Sequence, residues 1–197
     1  VRKGLKQILL DEFTAAVIEE VADAEELIKK VMTDKWDVVV SDLSMPGRSG
    51  LDALQQLKIS HPELPVLILS IHPEEQYALR ALKSGASGYL SKDTAPDELV
   101  KAVRKVLLGK KYISQSIAEK LASTFSSDTV MNPHESLSDR EFDVMKLLAN
   151  GKSVSEIAEM LSLSVTTVST YRARVMVKMD LKSNSDLTKY AIENNLL

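Results

Sequence analysis

Cysteine is missing altogether from this chain of 197 residues, so disulfides and thiolate-bound metals are excluded. The three histidines, His61, His72 and His134, are scattered and argue against a zinc site. No apolar run approaches the roughly 20 residues that span a bilayer, and no secretory pattern opens the chain. A membrane is therefore not an expected partner, and a cytoplasmic location is expected. A large excess of positive charge is missing too. The formal net charge of −3 argues against a protein that coats nucleic acid with its whole surface but leaves room for a local basic patch. What remains is 44% hydrophobic and 27% charged, an ordinary globular composition with length for one large domain or two small ones.

Up to about Lys111, helical stripes alternate with short apolar strands. Val1, Leu5, Ile8 and Leu9 recur at i, i+4, i+7 and i+8 and predict a helix under way at the first residue. A strand is predicted over residues 16–18, then a helix with the stripe Leu27, Ile28, Val31 and Met32. A strand over 38–40 leads to a Met45-Pro46-Gly47 turn and a helix bearing Leu51, Leu54 and Leu57. The turn from His61 to Pro65 precedes a strand over 66–69; a helix over 74–83 stops at Gly85, and a strand over 88–90 follows. The next helix opens near Pro96, carries Asp97 and Glu98 in its first turn and should bury Leu99, Val100, Val103, Val106 and Leu107. Such alternation joins parallel strands through helical crossovers. The runs VVV and VLIL predict strands covered on both faces.

Three of these strands end on polar residues: Asp42, Ser70 and Lys92. Each has a plain reading, as a turn residue, a strand terminator and a solvated cation beside Asp93. Three in register are harder to dismiss, because open parallel sheets gather their chemistry at the carboxyl ends of strands. Together they suit phosphorylation of a carboxylate. Asp42 can attack a phosphoryl donor, Lys92 can pair with a phosphoryl oxygen, and the Ser70 hydroxyl can donate to another. A divalent cation is needed beside such a site, and Mg2+ is the natural choice.

The segments DLSMPGRSG, VLILS and GASGYLSKD resemble the receiver domain of two-component response regulators, over residues 1 to about 110. The resemblance implies a flavodoxin-like α/β fold with a five-stranded parallel sheet in the order 2-1-3-4-5. It also implies Asp42 as phosphoacceptor, with Ser70, Tyr89 and Lys92 as switch residues, and metal held by Asp42 and the backbone carbonyl of Ser44. Tyr89 read alone is a core or surface aromatic. In the family an acidic pair at the end of the first strand completes the metal site, and this sequence begins inside the following helix. Asp11 and Glu12 lie at that helix's far end and cannot substitute. An unrecorded upstream segment, a shortened chain or a rearranged receiver would each account for this, and the first is favoured.

Beyond Tyr112 the pattern changes. A helix can form over 114–125, and Ser126-Ser127-Asp128 and Asn132-Pro133 read as a linker. The expected division is a receiver over 1–111, a linker with a short helix over 112–135, and a second domain over 136–197. Capping boxes at Ser138–Glu141 and Ser153–Glu156 open two helices, the first carrying Val144, Leu147 and Leu148 and ending at Gly151, the second carrying Ile157, Ala158 and Leu161. Ser164 caps a third with Val168, Tyr171, Val175 and Met179 on one face, and Ser183 starts a fourth with Leu187 and Ala191 inward. Helix count alone would suit any small bundle. The net charge of +3 over 166–182, against about −1 over residues 135–197, concentrates positive charge on one helix.

The stretch from Leu137 to Ser183 is similar to the LuxR-type helix-turn-helix domain of the NarL/FixJ class of response regulators. The resemblance implies an all-α domain whose recognition helix, about 165–179, enters the major groove of double-stranded DNA. Ser169, Thr170 and Ala173 match base-contacting positions; Arg172, Arg174, Lys178 and Lys182 are expected at phosphates, with Thr166 and Thr167 at the helix start. Thr166 stands where lysine is common, and Ala173 offers only a methyl group. The combined expectation is a transcription regulator, not an enzyme, phosphorylated on Asp42 by a sensor histidine kinase and binding DNA as a homodimer. The alternatives are a phosphorylation-independent dimeric regulator and, more weakly, an aspartate-nucleophile phosphatase. The latter normally needs a second Asp where this chain has Ser44.

Overall fold

The computed structural model describes residues 2–45, 49–126 and 132–197. Val1, Pro46 and Gly47 of the expected turn and the linker residues 127–131 lie outside the described residues. Two compact units are present, Val1–Ser127 and Asp128–Leu197.

The first unit runs α1 (Arg2–Glu12), α2 (Ala24–Thr33), β1 (Val39–Asp42), α3 (Gly50–Ser60), β2 (Val66–Ser70), α4 (Glu74–Lys83), β3 (Gly88–Ser91), α5 (Ala95–Leu107) and α6 (Gln115–Ser126). Local chemistry starts and stops these elements. The Asp23 carboxylate accepts from the Glu26 N–H at 2.9 Å and caps α2, a Ser49–Asp52 capping box opens α3, and Gly85 at φ +100 ends α4.

The strands pair in parallel in the order β1-β2-β3. β2 is central and buried at every position, as the run VLIL predicts. Leu67, Leu69 and Leu90 pack with Leu99, Ala102 and Val103 of α5, and Leu5 and Leu9 of α1 close over them. The amphipathic stripes are mostly as read, with Leu27, Ile28, Val31, Leu51, Leu54 and Leu57 all buried. Met32 and Leu107 are corrections: both are exposed, because each lies one position beyond the i, i+3, i+4, i+7 stripe its helix turns inward. Val100 is only half-buried for the same reason.

The strand expected over 16–18 does not form; those residues belong to no strand or helix, so the sheet has three strands among the described residues rather than four. No strand among the described residues pairs with 16–18. A groove of about 560 Å³ separates the segment at 18–22 from β1, with Leu5, Leu9, Leu27 and Val31 among its walls. β1 accordingly alternates between buried and half-buried positions instead of being covered throughout. The helix read over 114–125 does form, as α6. It packs on α4 within the first unit, with Ile117 fully buried.

In the second unit a 3₁₀ turn (Pro133–Ser136) precedes α7 (Asp139–Ala149), α8 (Val154–Leu161), α9 (Val165–Lys178) and α10 (Asn184–Glu193). Both capping boxes are formed. Ser164 and Ser183 accept from Thr167 and Asp186 N–H groups and cap α9 and α10. Between α8 and α9, Ser162 takes the left-handed conformation at φ 54 that turns the chain. Phe142, Val144, Met145, Leu148, Ile157 and Val168 are among the core side chains. Leu147, Leu161 and Tyr171 are half-buried at the stripe edges.

Candidate phosphoacceptor site and DNA-facing helix

The parallel register sets Asp42 beside Leu69 and Ser70 beside Ser91, so the ends of all three strands lie along one edge of the sheet. There the Lys92 ammonium is ion-paired with Asp42 Oδ2, both side chains being partly buried. The other carboxylate oxygen, Oδ1, accepts the Ser44 N–H at 3.0 Å. The Lys92 N–H donates to the Ser70 carbonyl at 2.8 Å, tying Lys92 to the end of β2. Ser70 is fully buried, and its hydroxyl accepts the His72 N–H at 2.9 Å. Tyr89 is buried on β3 and donates its hydroxyl to the His72 carbonyl at 3.0 Å. Burial pushes the Tyr89 phenol up to about 12, against the Ser70 hydrogen bond and with help from Glu74, Glu75 and Asp42. Tyr89 therefore stays a neutral donor at any physiological pH.

Asp42, Ser70, Tyr89 and Lys92 are thus brought together. Two residues escaped the sequence reading. Gly50 opens α3 against the end of β1, and a Cβ there would stand 2.1 Å from the Asp42 carbonyl oxygen; its N–H donates to the Leu43 carbonyl at 2.9 Å. Only glycine lets the helix approach so closely, and its place at the end of DLSMPGRSG was the available signal. His72 is the second: its imidazole Nε2 lies 3.1 Å from Ser44 Oγ and its ring stacks on Tyr77 at 4.7 Å. No sequence pattern pointed to it.

The described residues hold no group of three or more His, Cys, Asp or Glu side chains placed to bind a metal. Asp11 accepts from Gln7 at 2.6 Å, and Glu12 pairs with Arg104.

In the second unit α9 divides into two faces. Thr166, Ser169, Thr170, Ala173, Arg174 and Val177 are exposed, and at 100° per residue they form one stripe. Val168, Val175 and Met179 face the core. Four of the expected nucleic-acid contacts have side-chain hydrogen bonds within the unit; the Thr170 hydroxyl donates to the Thr166 carbonyl at 3.0 Å. Thr167 shares a 2.7 Å hydrogen bond with the capping Ser164. Arg172 donates to Asn184 Oδ1 from Nε at 3.1 Å and Nη2 at 2.9 Å. Lys178 is ion-paired with the buried carboxylate of Glu141 at 2.7 Å. Burial alone would push the Glu141 carboxyl up, but hydrogen bonds from Lys178 and Ser138 and the charge of Lys178 hold it below the usual range. Lys182, in the loop after α9, is exposed.

The family model described as the response regulator receiver domain matches residues 1–104, and that described as bacterial regulatory proteins, luxR family, matches residues 135–191. The chain is 37% identical to the response regulator UvrY of Escherichia coli strain K12, covering all of this chain and 90% of that protein. It is 38% identical to the oxygen regulatory protein NreC of Staphylococcus haemolyticus, covering all of this chain and 94% of that one. Among solved structures, the RcsB response regulator of Salmonella typhimurium superposes with a TM-score of 0.67 at 26% identity, over 96% of this chain and 90% of the other. A LuxR-family two-component response regulator from Aurantimonas matches at 33% identity and a TM-score of 0.58, over 64% of this chain and 91% of the other. With a receiver at its amino end and a LuxR-type helix-turn-helix domain behind it, the chain belongs to the response-regulator family and is a phosphorylation-controlled regulator of transcription.

Proposed function

We propose that Asp42 is the phosphoacceptor of this regulator, and that its acyl phosphate controls binding of α9 to double-stranded DNA. The observation that carries this reading is the junction of Asp42, Lys92 and Ser70 at one edge of the sheet. A carboxylate oxygen of Asp42 attacks phosphorus and the donor's P–N or P–O bond breaks. The leaving group departs with the electron pair, and the Asp42 acyl phosphate remains. Lys92 neutralises a phosphoryl oxygen, and Ser70 donates its hydroxyl to another. Tyr89 follows Ser70 because both hold His72, and α4, β3 and α5 form the face that carries the change. The donor is a sensor histidine kinase or a small phosphodonor in the cytoplasm.

Magnesium is the cofactor of receiver chemistry, and Asp42 and the Ser44 carbonyl are the oxygens proposed for it here. They do not make a site by themselves. Hard divalent cations take about six oxygens, and the described residues add no acidic cluster. The roles of Asp42, Ser70 and Lys92 stand on their own geometry.

On the DNA side, the exposed stripe of α9 faces the major groove. Ser169, Thr170 and Ala173 meet base edges and thymine methyls, Thr166 and Thr167 lie at the helix start, and Arg174 and Lys182 meet phosphates. Arg172 and Lys178 reach the backbone only at the margin, since each is engaged inside the unit. A structure of RcsB is described as two dimers bound to two parallel DNAs, which supports a homodimer as the binding form.

Acetyl phosphate with magnesium, followed by mass spectrometric mapping, tests the phosphoacceptor. The expected result is a phosphoryl group on Asp42 that is absent from Asp42→Ala. Equal labelling of both proteins, or none, defeats this reading in favour of a phosphorylation-independent regulator. Turnover of a phosphomonoester would instead favour an aspartate-nucleophile phosphatase.

A further inference from the structure

Valines on α9 have opposite fates. Val168 and Val175 are fully buried in the core of the second unit, while Val177 is 81% exposed. At 100° per residue Val177 lies diametrically opposite Val168. Thr166, Ala173 and Val177 fall within about 40° of one another, on the midline of the exposed stripe. Arg174 stands about 60° to one side of Val177 and is exposed, as is Lys182 in the loop just beyond α9. Such cations draw the phosphates of a duplex to the margins of the stripe, so that its midline faces the floor of the major groove. We propose that Val177 is a specificity-determining residue that reads the 5-methyl group of a thymine in the DNA half-site. This inference rests on α9 as the groove-facing helix.

The chemistry of base edges narrows what a valine can read. An isopropyl group has no donor and no acceptor. In the major groove every base presents hydrogen-bonding atoms, and thymine alone adds a methyl group. Against any other edge the side chain would strip water from polar atoms and return nothing; against thymine, apolar surface is buried on both sides. Thr166, Ser169 and Thr170 form the hydroxyl-bearing part of the stripe, and Ala173 and Val177 follow it. The stripe thus runs from hydroxyls to methyl groups along the helix. From Ala173 to Val177 the rise is about 6 Å. The thymine that Val177 meets therefore lies within about two base-pair steps, of about 3.4 Å each, of the base at Ala173.

The test uses the full chain, treated with acetyl phosphate and magnesium, and a duplex that it selects from a random-sequence pool. Each thymine of the half-site is replaced in turn by deoxyuridine, which removes the methyl group and leaves the hydrogen-bonding edge unchanged. At one thymine the exchange should weaken wild-type binding about three- to fivefold and leave Val177→Ala unaffected, because the variant has already lost the partner of that methyl group. Val177→Ala should bind the unmodified duplex about three- to tenfold more weakly than wild type, with its fold kept, alanine being the better helix former. If no thymine distinguishes the two proteins, the proposal is overturned. A uniform loss over every duplex, with a dimer that dissociates in sedimentation, assigns Val177 to a contact between two copies of the chain and overturns it as well. Arg174→Ala separates this proposal from the one it rests on. A selected duplex that needs Arg174 but is indifferent to Val177 defeats the thymine contact alone. A pool that yields no preferred sequence, or a duplex indifferent to both residues, removes α9 from the groove and the thymine contact with it.

Discussion

Arg172 and Arg174 are two positions apart on one helix and have different surroundings. Arg172 is half-buried and holds Asn184 with two donors, which ties α9 to the start of α10. Arg174 is exposed on the stripe that carries Ser169, Thr170 and Ala173. A charge contributes to DNA affinity chiefly by displacing counterions from phosphate, so the exposed one should matter more in a salt series. Arg174→Ala is expected to lower the slope of log affinity against log salt by about 1. Arg172→Ala should change that slope less and instead loosen α10. Equal slopes for Arg174→Ala and wild type would remove Arg174 from the phosphate contacts. The residues Asp42, Ser70 and Lys92 were legible in the sequence because each closes an apolar run, Ser70 directly and Asp42 and Lys92 after one serine, and strand geometry converts that order into proximity. His72 and Gly50 were not. The role of His72 depends on a contact 28 positions away, and that of Gly50 on a helix seated on the Asp42 carbonyl.

At the scale of elements, an ion pair joins α7 and α9 beside their packed apolar faces. Glu141 closes the capping box of α7 and is almost wholly buried, and Lys178 reaches it from the last turn of α9. Removing one partner of a buried pair leaves an uncompensated charge, which typically costs several kcal/mol; with Lys178 partly exposed, about 2 kcal/mol is expected for Glu141→Gln. The pair also sets a pH dependence. Because the folded carboxyl sits below its unfolded value of about 4.3, the folded state binds fewer protons in that range. The stabilisation is therefore complete above that pH and is lost as pH falls through the lower folded value. Urea unfolding followed on the Tyr171 and Tyr190 ring resonances checks this. Wild type should weaken on acidification below pH 4.3, and Glu141→Gln should be weaker at neutral pH with a flatter acid limb. The elements themselves were readable wherever periodicity and caps agreed, as in α4, α7 and α9. The predicted strand over 16–18 was not realised, because a strand is fixed by its neighbour as well as its sequence. A groove, not a paired strand, lies between residues 18–22 and β1.

For the whole molecule, the two units carry separable halves of one device. The first gathers a carboxylate, an ammonium and a hydroxyl at a sheet edge; the second presents a stripe of small hydroxyl and methyl side chains with little charge. Such a stripe would distinguish bases by contact more than by charge, so on the proposed reading phosphate binding from its flanks supplies much of the affinity and the stripe supplies sequence preference. The function of the device is the coupling between the halves. Its direct measurement is the affinity of the protein for a duplex selected from a random-sequence pool, with and without acetyl phosphate and magnesium, in wild type and Asp42→Ala. Wild-type affinity should change on treatment while that of Asp42→Ala stays fixed. An identical response in both proteins, or an unchanged wild type that demonstrably carries the phosphoryl group, would contradict control of DNA binding through Asp42.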